Sequence, residues 1–211
     1  MRYADRADAG RTLARLLDAY RDGPPVRVLG LARGGVAVAA PIASALARPL
    51  DVLVVRKLGL PWAPEVAFGA IGPYGVDVRS PEVADRLPPA EAEAVASRAR
   101  SEVDRRIRLY RGDRPALLLD GETALLIDDG LATGATAHAA VALAREMHAA
   151  RVVVAVPVGA PQAVASLRLT ADAVVCPAAP DWFDAVSRYY RAFDQVTDDE
   201  VVDLLAAAWA A

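Results

Sequence analysis

Asp128 and Asp129 stand side by side at the end of an apolar run, Thr123 to Ile127, and are followed by Gly130, Leu131, Ala132, Thr133, Gly134, Ala135 and Thr136. Two adjacent carboxylates at a strand end offer paired acceptors, a match for vicinal hydroxyls. The loop behind them has almost no side chains. If a helix follows, its free backbone N–H groups and positive end make an anion site. Ala132, Gly134 and Ala135 let a phosphate reach the backbone, and Thr133 and Thr136 add hydroxyl donors. Together these groups describe a sugar phosphate. The competing motifs are missing: there is no G-x-x-x-x-G-K-[ST], and no G-x-G-x-x-G after a strand. The bland alternative is a helix start with Asp and Thr capping chemistry, but capping does not need two carboxylates at a strand end.

Parallel strands must position such a loop. Residues 26–31, 51–59, 123–127, 151–159 and 172–177 read as apolar strands without polar alternation, joined by helical patterns at residues 7–21, 36–47, 136–149 and 161–169. The fold class expected is α/β, a central, mostly parallel sheet covered by helices on both faces. Pro41 falls inside one helical pattern and predicts a kink or a later start. Residues 60–65, rich in proline, read as a loop, and Gly72-Pro73-Tyr74-Gly75 reads as a hairpin turn between two short strands, residues 66–72 and 75–80. Residues 89–110 form a long charged helix, inserted between the halves of the sheet, whose plain reading is a solvated or dimer-packing surface. Thr197 caps a final helix.

The 211 residues, 55% hydrophobic and 24% charged with a net charge of −3, suffice for one domain over residues 1–211. No block of like charge marks a general nucleic-acid surface, and no apolar segment is long enough to span a bilayer. No nucleic-acid partner, no membrane and a cytoplasmic location are the expectations, the N-terminus showing no signal segment. The lone Cys176 lies in an apolar run and reads as a core residue. His138 and His148 have no partner at ligand spacing, so no zinc site is expected.

The stretch "ALLIDDGLATGATA" closely resembles the phosphoribosyl-pyrophosphate signature of type I phosphoribosyltransferases. "LGLARGG" looks like that family's pyrophosphate loop, and "VVRKLG" like the Arg-Lys strand end before its mobile catalytic loop; the order of the segments also matches. The combination is similar to a bacterial group of stand-alone predicted phosphoribosyltransferases. The resemblance implies transfer of phosphoribosyl from 5-phosphoribosyl 1-pyrophosphate to a nitrogenous base or related amine, in nucleotide salvage, by a Mg2+-dependent homodimer. It assigns Asp128 and Asp129 to the ribose hydroxyls, and Ala132, Thr133, Gly134, Ala135 and Thr136 to the 5-phosphate. It assigns Ala32, Arg33, Gly34 and Gly35 to pyrophosphate, with a cis peptide placed at Ala32-Arg33. Arg56 and Lys57 neutralise pyrophosphate by the same resemblance, or are a surface charge pair. Mg2+ is expected to be held by substrate and water, with no direct protein ligand. Residues 58–68 become the lid, with Glu65 as a loop- or substrate-positioning group or a plain surface glutamate.

The acceptor is expected under a hood of residues 180–196, joined by the N-terminal segment. Trp182 and Phe183 are the candidates to stack on a base, or they pack a small hood core. Ala132 stands where hypoxanthine and guanine enzymes usually carry an aspartate, which weakens a 6-oxopurine assignment and selects no other base. The alternative to an enzyme is a non-catalytic sensor of phosphoribosyl pyrophosphate or nucleotides with the same fold. A third reading, a sugar-phosphate hydrolase or phosphorylase, lacks a nucleophile.

Overall fold

Five apolar segments pair side by side as one parallel sheet in a computed structural model that describes residues 2–210. Glu65, expected at the lid, lies outside the residues whose side chains are described. The elements in chain order are α1 (Arg6–Leu16), β1 (Val26–Leu31), α2 (Gly34–Leu46), β2 (Leu50–Leu53), β3 (Arg56–Leu60), β4 (Ala63–Ile71), β5 (Asp77–Arg79), α3 (Pro81–Ala84), α4 (Pro89–Arg111), β6 (Thr123–Ile127), α5 (Ala135–Glu146), β7 (Arg151–Ala155), α6 (Pro161–Leu167), β8 (Ala173–Val175) and α7 (Asp198–Ala210).

The large sheet runs β2-β1-β6-β7-β8, every neighbour parallel. Its inner strands are buried on both faces because successive side chains enter different cores, while the edge strand β8 is half-buried. Val28, Leu125 and Val153 join the cluster under α1, α2, α4 and α7, whereas Leu29, Leu126 and Val154 join the cluster under α5 and α6. The chain winds outward from β1 to β2 in one direction and from β6 through β7 to β8 in the other. β1 and β6 are therefore the switch point of the sheet, and the crevice outside their carboxyl ends is where such folds bind ligands.

Residues 51–59, expected as one strand, are two. β2 ends at Leu53, and β3 begins at Arg56 in a separate antiparallel sheet ordered β3-β4-β5. Apolar residues run through the break and Val54 is itself buried, so burial does not distinguish the two halves; the pairing of β3 with the distant β4 does. Residues 60–65, expected as a loop, are the tip of the β3–β4 hairpin, with Trp62 61% exposed at its turn. The β4–β5 hairpin forms as expected, turning at Pro73–Gly75, where Tyr74 takes a φ of 57°.

α2 already begins at Gly34 and keeps Pro41 in its interior, so the expected later start does not occur. α1 stops at Leu16 and continues as a 3-10 turn, Asp18–Tyr20. α5 stops at Glu146, short of residue 149, because His148 takes the left-handed φ of 61°. Thr197 and Glu200 form the expected capping box of α7: the Glu200 N–H donates to Thr197 Oγ1 at 3.1 Å, and the Thr197 N–H to Glu200 Oε2 at 2.7 Å. Among the described residues, no helix is long and apolar enough to cross a membrane.

The two sheets are tied by a buried ion pair. Arg111, at the end of α4, donates to Asp51 of β2 from Nε at 2.9 Å and from Nη2 at 3.0 Å, and its Nη1 donates to the Pro115 carbonyl and meets the Tyr74 hydroxyl.

Candidate active site

Gly134 sits between strand and helix with a φ of 75°, a left-handed conformation that an L side chain strains to adopt. The turn it makes lets α5 start at Ala135 directly above the end of β6. The first N–H groups of a helix have no partner within it; the Ala135 N–H donates to Thr133 Oγ1 at 3.3 Å, and the start of α5 borders a cavity of about 170 Å³ lined by Asp128, residues 130–137 and Val186. The loop is held from outside: the Leu131 N–H donates to the Val158 carbonyl at 2.9 Å, and the Ala160 N–H to the Leu131 carbonyl at 2.8 Å. Ala132, Thr133, Gly134, Ala135 and Thr136 thus share one wall with Asp128.

The β1–α2 turn and the first residues of α2 lie against the acids. A methyl group added at Gly35 would come within 2.3 Å of the Ile127 carbonyl oxygen, and one at Gly34 within 2.0 Å of Asp129 Oδ2. Only glycines allow the loop to approach β6 this closely. The Ala32-Arg33 peptide is cis, where the resemblance placed it. Arg33 turns its guanidinium toward Asp198 of α7, at 3.8 Å, where Asp198 also accepts a 2.6 Å bond from the Tyr110 hydroxyl. Arg56 and Lys57 open β3, Arg56 exposed and Lys57 half-buried. None of these three cations lines the loop cavity.

The two acids face different surroundings. Asp128 Oδ1 accepts the Asp129 N–H at 2.9 Å. Burial, and then the charge of Asp129, push the Asp128 carboxyl well above the usual carboxylate range. Asp129 is also raised by burial, against the opposing pull of Arg6, whose Nε donates to Oδ2 at 2.8 Å. Arg6 makes Asp129 the member of the pair that ionises first.

Arg6 was not foreseen from the sequence, nor were Tyr190 and Val186. Residues 2–4 run beside residues 189–192: the Tyr3 N–H donates to the Tyr189 carbonyl at 2.8 Å, and the Arg191 N–H to the Tyr3 carbonyl at 2.9 Å. The buried Tyr190 hydroxyl donates to the Asp129 carbonyl at 2.7 Å. Trp182 is 93% exposed, and Phe183 stacks on Tyr189 with centroids 5.8 Å apart; neither lines the loop cavity. His138 is tied behind the loop, Nε2 to Ser166 Oγ at 3.0 Å and Nδ1 to Thr170 Oγ1 at 3.3 Å. The half-buried Cys176 donates to the Ala178 carbonyl, and burial raises its thiol pKa, as suits a packed residue and not a nucleophile.

A parallel sheet with its crevice at the β1–β6 switch point, two acids and a glycine-lined helix start define the class: a doubly wound α/β protein with its candidate site at the switch point. Residues 3–194 match the phosphoribosyl transferase domain family, and the chain belongs to that family, in its type I branch. It is 50% identical over 208 residues, 98% of its length, to a Mycobacterium tuberculosis H37Rv protein named provisionally as a phosphoribosyl transferase. The chain spans about half the length of such curated relatives, 47% of that protein. The crystal structure of TT1426 from Thermus thermophilus superposes with a TM-score of 0.90 at 42% identity, covering 98% of this chain and 99% of that one. A purine phosphoribosyltransferase from Pyrococcus horikoshii, 15% identical with a TM-score of 0.50 over 91% of this chain and 92% of its own, shares the fold.

Proposed function

We propose that this chain transfers phosphoribosyl from 5-phosphoribosyl 1-pyrophosphate to a nitrogenous base or related amine and releases pyrophosphate. The observation that carries the reading is the cavity in which Asp128 shares a wall with the phosphate-sized loop of residues 130–137. The 5-phosphate takes N–H groups of the loop and of the start of α5, with the Thr133 and Thr136 hydroxyls, and displaces Thr133 Oγ1 from the Ala135 N–H it now caps. Asp128 and Asp129 accept from the ribose hydroxyls. Gly34 and Gly35 open the β1–α2 backbone to pyrophosphate, and Arg33, Arg56 and Lys57 supply positive charge around it.

The C1–oxygen bond to pyrophosphate breaks as a C1–nitrogen bond forms, and the ring carries positive charge in between. A buried carboxylate beside that ring favours the charge, and fixed cations favour the leaving group. Among the described residues no three His, Cys, Asp or Glu side chains gather as a cation cage. A Mg2+, if the reaction uses one, would be held mainly by substrate oxygens and water, and Asp128 and Asp129 are the carboxylates that would hold its waters. Bound there, the ion neutralises pyrophosphate.

The acceptor rests against the segment of residues 180–196, where the open face of Trp182 covers a base. Trp182→Ala then raises the acceptor KM about 3- to 10-fold with little change in kcat, the range of an aromatic contact. A change confined to melting temperature makes Trp182 a packing residue.

The test of the whole reading is incubation with phosphoribosyl pyrophosphate, Mg2+ and a panel of purines, pyrimidines and small amines, with pyrophosphate followed by a coupled assay. Base-dependent release is expected. Tight binding of the donor without release across the panel refutes turnover.

A further inference from the structure

Asp129 is gripped from three sides, and two of the grips come from the ends of the chain. Arg6, the first residue of α1, donates Nε to Oδ2 at 2.8 Å. Gly34 lies against the same oxygen from the start of α2. The Tyr190 hydroxyl holds the Asp129 carbonyl. Arg6 is in turn fixed more firmly than an ordinary surface arginine. Its side chain is 12% exposed, its guanidinium lies 3.9 Å from the centre of the Phe193 ring, and its Nη1 donates to the Asp194 carbonyl at 2.7 Å. One cation therefore joins a donor-site carboxylate to the C-terminal segment that packs over it.

From this geometry we infer that Arg6 is a positioning residue of the donor site, holding Asp129 at the angle and charge in which it receives the ribose hydroxyls of phosphoribosyl pyrophosphate. The inference rests on the functional reading above. A carboxylate has about four lone-pair positions on its two oxygens. Arg6 takes one on Oδ2, which leaves acceptor capacity on both oxygens for vicinal hydroxyls. Without Arg6, two adjacent carboxylates would share a half-buried site with no cation bonded to either, and the pair would take up a proton more readily. A protonated acid spends one oxygen as a donor. The charged and titratable groups around the pair are Asp128, Arg6, Tyr190 and, facing Arg6 from α7, Glu200.

The experiment is calorimetric titration of phosphoribosyl pyrophosphate with Mg2+ into the wild type, Arg6→Met and Arg6→Lys, from pH 5 to 8. Arg6→Met keeps the length and the apolar stem over Phe193 but loses the charge. It is expected to bind about ten-fold more weakly at pH 7, with the acidic fall-off of affinity moved to higher pH. Arg6→Lys recovers part of the affinity and moves the fall-off back. Equal affinity and an unmoved pH profile in Arg6→Met, beside a wild type that binds, overturn the inference even if the variant melts lower. A wild type that binds no donor refutes the functional reading itself, and the role of Arg6 with it.

Discussion

Asp128→Asn combined with Asp129→Asn is expected to lower turnover on the order of 10³-fold while the chain still folds, a loss at the upper end of what removal of one preorganised electrostatic partner costs. Both changes are isosteric, and the amides still offer a carbonyl oxygen to a hydroxyl, so the loss isolates the negative charge beside the ribose. The two single variants separate on stability. Burial and Asp129 hold the folded-state pKa of Asp128 above its unfolded value near 4. Between those two values the native state binds more protons than the unfolded chain, so stability falls as pH rises through that window. Asp128→Asn removes the penalty and is expected to melt higher than the wild type at neutral pH, the gain fading toward pH 3. Asp129→Asn leaves the little-exposed Arg6 without its charged partner and is expected to destabilise by about 1–3 kcal/mol. Donor-dependent pyrophosphate release and thermal melts across pH read both effects. Undiminished turnover in the double variant refutes the site assignment, and an Asp128→Asn that melts lower than the wild type at pH 7 refutes the account of its buried charge.

What the sequence showed of this site was what lies close along the chain. The acids, the loop and the start of α5 are one local strand–loop–helix, and each piece carries its own signal: an apolar run, small residues, and the left-handed Gly134. The cores under the sheet were equally legible, because strands buried on both faces leave no polar alternation. Where the outcome depended on pairing between distant segments, local pattern was silent. The split at Val54 and Val55 follows from β3 meeting β4, and the hairpin at residues 58–68 from the same pairing. Arg6 is separated from Asp129 by 123 positions and is the first residue of a helix capped by Asp5, where an arginine carries no local signal of a site. Arg33 was assigned by the resemblance, and the local sequence says nothing of Asp198 of α7, which lies 3.8 Å from its guanidinium. Aromatic residues in the segment of residues 180–196 were noticed, yet composition does not tell an exposed ring such as Trp182 from one that reaches the acids, as Tyr190 does.

Asp51→Ala is expected to cost about 3–5 kcal/mol of folding stability, the penalty for removing one partner of a buried ion pair. Asp51 and Arg111 are 4% and 6% exposed, so removal of Asp51 leaves a buried guanidinium without the two charged bonds it had. Two further contacts, to the Pro115 carbonyl and the Tyr74 hydroxyl, hold its Nη1 in place. Replacing both partners is a different experiment. Asp51→Leu with Arg111→Met leaves no buried charge, and such exchanges are often neutral or stabilising. The double variant is therefore expected to recover most of the loss, although the Tyr74 hydroxyl and the Pro115 carbonyl then need water. Urea unfolding with an unchanged m-value measures the cycle. The consequence for the site is directional. Asp51 pairs in register with Leu29 of β1, and Arg111 and Tyr74 belong to α4 and the β4–β5 turn. The ion pair thus anchors the small sheet, with Arg56 and Lys57 at its first strand, to the large sheet that carries the acids. In Asp51→Ala, amide exchange in β3–β5 is expected to accelerate more than in β6 and β7. Equal acceleration in both sheets would mean that the pair contributes to global stability alone and does not set the position of the Arg56-Lys57 strand end.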